Sequence, residues 1–144
     1  MDYEVKKMTE LTPAQLLKIM AARIAVFVVE QRCPYQEIDQ ADETAWHTWL
    51  QQDSEIVGYT RIIDKGDAVS IGRVLTAHTF RGKGYGRLLM EKTLAEVKGR
   101  YPGLPVILSA QEYAIPFYQE LGFRVTSEVY LEDDIPHVDM ELER

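Results

Sequence analysis

Ile71-Gly72-Arg73-Val74-Leu75-Thr76, then after four residues Arg81-Gly82-Lys83-Gly84-Tyr85-Gly86-Arg87-Leu88-Leu89, reads as a strand, a glycine-rich loop and the start of a helix. That order makes a phosphate site. The first helical N–H groups have no intrahelical partner, and the helix dipole is positive there. Glycines let the backbone approach an anion closely. Arg81, Lys83 and Arg87 add positive charge around the loop. A nucleotide P-loop needs GxxxxGK followed by Ser or Thr, which is absent. The dinucleotide pattern GxGxxG is absent too, because Gly82, Gly84 and Gly86 are spaced by two. A plain glycine-rich turn is the alternative reading.

Working outward, Tyr3 to Met8 alternates as a first strand. Thr12-Pro13-Ala14-Gln15 is a helix start: Thr12 caps, Pro13 suits the first turn, and Gln15 completes a capping box. Leu16, Leu17, Met20, Ile24, Phe27 and Val28 follow at helical spacing, predicting a helix to about Glu30. Cys33 to Ala45 reads as an acidic loop with one short helical turn. His47–Gln51, Ile56–Ile63 and Val69–Thr76 read as strands, with turns at Asp53-Ser54 and Asp64-Lys65-Gly66-Asp67. After the loop comes a helix carrying Leu88, Leu89, Leu94 and Val97, ended by Gly99, Pro102, Gly103 and Pro105. Val106–Ala110 is a short apolar strand, the pattern of a buried parallel position. Ile115–Leu121 is a helix stopped by Gly122. Arg124–Leu131 and His137–Leu142 read as a final strand pair around Glu132-Asp133-Asp134. Such an order predicts an α/β or α+β sheet with helices on its faces.

The chain has 144 residues, the size of one domain, with 46% hydrophobic and 27% charged residues. Lys and Arg number 16 against 23 Asp and Glu, a formal charge of −7, which argues against nucleic acid as a partner. The longest uncharged apolar run, Ile24 to Val29, is six residues, so no membrane span is expected. Met1 to Lys7 has no apolar signal core. The lone cysteine, Cys33, has no internal disulfide partner, and a reducing, cytoplasmic setting is expected. His47, His78 and His137 lack ligand spacing, so no metal is expected.

Arg81-Gly82-Lys83-Gly84-Tyr85-Gly86 matches R/Q-x-x-G-x-G/A and resembles the pyrophosphate loop of the GNAT acyltransferase superfamily, which binds acetyl-CoA. A second block, Gln111-Glu112-Tyr113-Ala114-Ile115-Pro116-Phe117-Tyr118-Gln119-Glu120-Leu121-Gly122-Phe123, is similar to the GNAT signature N-x-x-A-x-x-Φ-Y-x-x-x-G-F. Ala114, Phe117, Tyr118, Gly122 and Phe123 fall in register, and Gln111 replaces the usual Asn. Phe27 to Tyr35 with Glu37-Ile38-Asp39, and the closing Glu132 to Met140, resemble the ElaA-type branch. The resemblance covers nearly the whole chain. It implies one GNAT domain over 1–144 and a mixed, mostly antiparallel sheet of about six or seven strands. Helices would lie on both faces, and a parallel pair would splay at the CoA site. It implies direct acyl transfer from acetyl-CoA to the amine of a small molecule or peptide, in a monomer or homodimer. A CoA-binding sensor without turnover is the alternative.

The resemblance implies that CoA's pantetheine arm pairs with the exposed backbone of Val74, Leu75 and Thr76, where an N–H also polarises the thioester carbonyl. Arg81, Gly82, Lys83, Gly84, Tyr85, Gly86 and Arg87 would hold the pyrophosphate, with Gln111 and Phe117 along the arm. Tyr118 is the candidate general acid for the departing thiolate, and its ionisation would shape the high-pH limb of the rate; a core tyrosine is the alternative. The expected fourth and fifth strands hold no carboxylate. The general base is therefore sought among His137, Glu30, Asp39, Asp42 and a water chain, His137 titrating in the useful range. Arg73, a charge inside an apolar strand, is expected to pair with the Glu37–Glu43 loop or to bind substrate. The acidic segments Glu37–Glu43 and Glu128–Asp134 are either solvated or line a mouth that favours a cationic acceptor.

Overall fold

In a computed structural model the structure describes residues 1–143. Eight strands form one sheet among the described residues, and three α-helices cover it. Strand β1 (Asp2–Lys7) is followed by α1 (Pro13–Ile24), then by the meander β2 (Trp46–Gln52), β3 (Glu55–Asp64) and β4 (Val69–Thr76). Helix α2 (Tyr85–Arg100) crosses to β5 (Val106–Gln111), and α3 (Ile115–Glu120) precedes β6 (Phe123–Val125), β7 (Tyr130–Glu132) and β8 (Ile135–Leu142). The sheet order is β1-β2-β3-β4-β5-β8-β6, with β7 also on β8. Only the β4–β5 pair is parallel, as a connection through a helix requires.

The local signals hold. Gln15 N donates to Thr12 Oγ1 (3.1 Å) and Thr12 N to Gln15 Oε1 (3.0 Å), closing the capping box. Asp53 and Ser54, and Asp133 and Asp134, all take positive φ, the backbone of a two-residue hairpin turn. Core residues Ile62, Ile71, Leu108 and Met140 pack under Met90 and Val97 of α2 and Tyr118 of α3. On the opposite face Trp49, Tyr59 and Leu75 pack against Ile19 of α1.

Two expected elements are reshaped. The first helix is regular only to Ile24, and Ala25–Glu30 widens into a π-helical turn. There Gln31 N bonds to Val26 O (3.2 Å) and Cys33 N to Val28 O (3.0 Å), each five residues back. The expected strand Arg124–Leu131 is broken into β6 and β7, which brings the sheet to eight strands. The break lies where Asp139 N donates to Ser127 Oγ (2.8 Å), a side chain standing in for a ladder carbonyl.

Candidate active site

Strands β4 and β5 share only two rungs, Val69↔Val106 and Ser70↔Ile107. Beyond them β4 bends away. Tyr59 pairs with Leu75 but Arg61 with Gly72, so Arg73 and Val74 bulge from the ladder, and Arg73 takes φ 52. The strands part as a V, and a cleft of about 770 Å³ opens between them, with Val74, Thr76, Ser109, Gln111 and Phe117 in its walls. On this side the β4 backbone from Ile71 to Thr76 has no strand partner among the described residues. An open strand edge offers its N–H and C=O groups to any extended chain carrying amides.

The loop lies at the far end of that edge. Gly82 (φ 75) and Gly84 (φ 82) adopt left-handed backbone, which turns successive N–H groups toward one point. The first bond of α2 runs from Leu88 N to Gly84 O (3.2 Å), leaving the N–H groups of Tyr85, Gly86 and Arg87 without a helical acceptor. Gly86 has a different task. A Cβ there would sit 3.2 Å from Thr76 Oγ1 and 3.7 Å from the Phe117 ring, so its absence lets α2 start hard against β4 and α3.

The three cations of this segment divide their work. Arg81 donates from Nε to Thr76 O (3.0 Å) and from Nη2 to Glu30 Oε1 (2.8 Å), fastening the π-helical turn to the end of β4. The Arg81 hydrogen bond holds the Glu30 carboxyl below its usual range, so Glu30 is tied up as a salt-bridge partner. Arg87 pairs with Glu91 (2.9 Å). Lys83 has no ion-pair partner among the described residues.

Tyr118 projects from α3 into the cleft and is 8% exposed. Its ring packs edge-on against Phe117 and Phe123, at 5.1 and 6.0 Å between centroids. Its hydroxyl has no hydrogen-bond partner among the described residues. Burial pushes the phenol well above its ordinary pKa, so it stays protonated through the working pH range, and no high-pH limb from Tyr118 is expected. Gln111 exchanges two 3.1 Å amide hydrogen bonds with Gln31, closing one end of the cleft. His137, on β8, lines the cleft: Nδ1 lies 2.7 Å from Ile135 O, and Nε2 stands 3.4 Å from Glu132 Oε2, an ion pair only when the ring is protonated.

The acidic loop after Cys33 is not a solvated rim. Arg23, Glu37 and Asp42 are buried, at 0%, 1% and 3% exposure. Arg23 Nε meets Glu37 Oε2 (2.8 Å), and its Nη1 meets Asp42 Oδ1 (2.7 Å). Arg61 joins Asp39 (2.7 Å) and Asp42 (3.0 Å), while Arg73 joins Glu37 (2.7 Å) and Asp39 (3.3 Å). Three guanidinium groups thus neutralise three carboxylates beneath the cleft floor. Asp39 and Asp42, two sequence candidates for the base, are spent here. Arg73 resolves toward pairing, and its guanidinium also lies 5.8 Å from the Tyr35 ring. The buried members Arg23 and Arg61 escaped the sequence reading because each sits in an ordinary helix or strand pattern. Only the fold brings them to the loop.

An open parallel V beside a glycine-rich helix start suits a ligand that joins an extended amide-bearing chain to an anion, and residues 9–144 match the family described as "Acetyltransferase (GNAT) domain". The chain belongs to the GNAT family. It is 44% identical over 140 residues to Protein ElaA of Escherichia coli (strain K12), covering 94% of this chain and 92% of that protein. The crystal structure of Escherichia coli ElaA superposes with a TM-score of 0.95 at 41% identity, covering 99% of this chain and 100% of that one. An acyl-CoA N-acyltransferase from Pseudomonas aeruginosa superposes with a TM-score of 0.93 at 39% identity over 99% of both chains. No helix among the described residues is long and apolar enough to cross a membrane.

Proposed function

We propose that this chain is a single-domain, cytoplasmic N-acetyltransferase that moves an acetyl group from acetyl-CoA to an amine by direct attack in a ternary complex. The observation that carries this reading is the unpaired β4 edge running into the left-handed glycine loop and the first N–H groups of α2, those of Tyr85, Gly86 and Arg87. The pantetheine arm has two amides to pair with Val74, Leu75 and Thr76, and the pyrophosphate suits the loop and the start of α2. Phe117 and Gln111 flank the arm, with Lys83 and Arg87 as the near cations. A bulge N–H meets the thioester oxygen as charge develops on it. Tyr118 then protonates the departing thiolate, its hydroxyl being free to do so. His137 lines the acceptor end. No group of three or more possible metal ligands is found among the described residues.

A cationic acceptor is supported by the turn after β7. Glu132 and Asp133 line the cleft, whereas the charges of Glu37, Asp39 and Asp42 are cancelled from within. Glu132→Gln should raise KM for a cationic amine by up to about fivefold, since an exposed charge contact is worth roughly 0.2–1 kcal/mol. KM for acetyl-CoA should not move; equal KM for cationic and neutral amines in both proteins would refute the electrostatic role.

CoA should stabilise the fold by about 2.7 kcal/mol at a hundredfold excess over Kd. Thermal shift with CoA, dephospho-CoA and ATP, followed by thiol release across an amine panel, tests the function. No shift at millimolar CoA would remove the loop from the site. A shift without thiol release would favour the second reading, a CoA sensor, which the lack of a carboxylate on β4 or β5 supports. Gly84→Val isolates the loop. A Cβ there meets nothing within 4 Å, so the cost is the strained φ of +82°, about 1–3 kcal/mol. The fold should survive with the CoA shift lost; an undiminished shift would show that Gly84 is only a turn residue.

A further inference from the structure

The C-terminal half of the sheet presents a polar face on the cleft side. Ile107, Ser109 and Gln111 of β5 stand opposite Glu141, Asp139 and His137 of β8, and Tyr130 of β7 stands opposite His137. Strand alternation therefore places Ser109, Asp139 and Tyr130 on one face. The Tyr130 hydroxyl lies 2.6 Å from Asp139 Oδ1 and 2.5 Å from Ser109 Oγ. Three strands thus contribute one hydroxyl, one phenol and one carboxylate to a continuous chain.

Donor accounting gives that chain a direction. An ionised carboxylate only accepts, so the single phenolic proton of Tyr130 goes to Asp139. Ser109 must then donate to the Tyr130 oxygen, and its lone pairs are left as acceptors in the cleft, which Ser109 lines. Ser109 stands two residues past Ile107, whose pairing with Ser70 is the last rung before the V opens. That is the base of the gap along which the thioester would run. Asp139 is exposed and has no cation partner among the described residues. Burial first, and then the Asp139 hydrogen bond, push the Tyr130 phenol up to about 12, so it carries its proton at neutral pH.

Resting on the acetyltransferase reading, we propose that Ser109, Tyr130 and Asp139 form a proton relay that takes the N–H proton of the attacking amine. The nitrogen lone pair forms the new C–N bond, and the carbonyl π pair moves to oxygen. The nitrogen, now positive, gives a proton to Ser109 Oγ as Ser109 passes its own to Tyr130 and Tyr130 passes its own to Asp139. The net change is one proton moved from nitrogen to the Asp139 carboxylate, with both hydroxyls regenerated. Collapse of the oxyanion re-forms the carbonyl and breaks the C–S bond, and the thiolate takes its proton from Tyr118. Asp139 releases its proton to water, from which the Tyr118 phenolate recovers its own. The relay supplies from β8 the carboxylate that β4 and β5 lack, and it leaves His137, whose Nδ1 is held by Ile135 O, out of the proton path.

The test is steady-state thiol release from acetyl-CoA with spermidine, benzylamine and a lysine-containing peptide. Tyr130→Phe, Asp139→Asn and Ser109→Ala should each lower kcat about 10²-fold, the lower end of general-base effects. KM for acetyl-CoA, the CoA thermal shift and the Tm should stay in place, which a merely structural role would not allow. Ser109→Thr, restoring a hydroxyl, should recover most of the turnover lost in Ser109→Ala. Turnover within about threefold of wild type in all three variants would overturn the relay and leave the acetyltransferase reading standing. So would a loss that tracks lowered Tm, or a far larger loss in His137→Asn than in Asp139→Asn. A wild-type protein that binds CoA but releases no thiol with any of these amines would overturn the reading and the relay together.

Discussion

Tyr118→Phe is expected to lower kcat about 10²–10⁴-fold, the usual worth of a general acid, while fold and acetyl-CoA KM stay in place. The reasoning is geometric. The hydroxyl has no hydrogen-bond partner among the described residues, so removing it sacrifices no hydrogen bond and leaves the rings of the Phe117–Tyr118–Phe123 cluster in place. If the ring served packing alone, the variant would match wild type in both Tm and kcat. Burial keeps the phenol protonated at high pH, so the wild-type rate should show no alkaline limb that the variant lacks. Steady-state kinetics on an accepted amine decides: a kcat within about threefold of wild type takes Tyr118 out of the mechanism.

The other large effect concerns stability. Arg23→Met is expected to cost about 3–5 kcal/mol, because it removes the fully buried cation that Glu37 and Asp42 share and leaves three buried or half-buried carboxylates to Arg61 and Arg73 alone. Domains of this size are stable by only about 5–15 kcal/mol, so the loss should be plain in urea denaturation. Its pH dependence has a definite sign. Burial opposes ionisation of Asp42, but the Arg23 and Arg61 guanidiniums override it and hold the carboxyl down at about 2, from 3.8. A depressed carboxyl contributes stability above its unfolded pKa and loses it as pH falls through the folded one. Wild type should therefore shed about 2 kcal/mol between pH 4 and pH 2 from this group. Arg23→Met should shed less, and the two stability curves should converge at the acid end. Parallel curves would show that Asp42 owes its low pKa to Arg61 instead.

Local rules carried much of the architecture. The Thr12–Gln15 capping box, the Asp53-Ser54 and Asp133-Asp134 turns and the glycine loop all depend on contacts within a few residues, and each formed as the sequence predicts. The two GNAT signatures are also short, which is why fold and family are legible in the sequence. Strand continuity was harder. Nothing in Arg124–Leu131 announces that Ser127 will accept the Asp139 amide from a strand twelve residues away and split the edge.

The sequence by itself determined the element order as far as α3, the glycine-rich loop that opens α2, the placing of Tyr118 one turn into its helix, and the family. All of these rest on periodicity and short-range chemistry. Only the tertiary structure decided where the charges go. Arg23 meets Glu37 and Asp42 across fourteen and nineteen residues, and Arg81 meets Glu30 across fifty-one. It also decided that Tyr130 spans from Ser109 to Asp139, twenty-one residues back and nine ahead. Spacing along a chain is silent about such pairs, because strand register and sheet order, not sequence distance, bring the partners within hydrogen-bond reach.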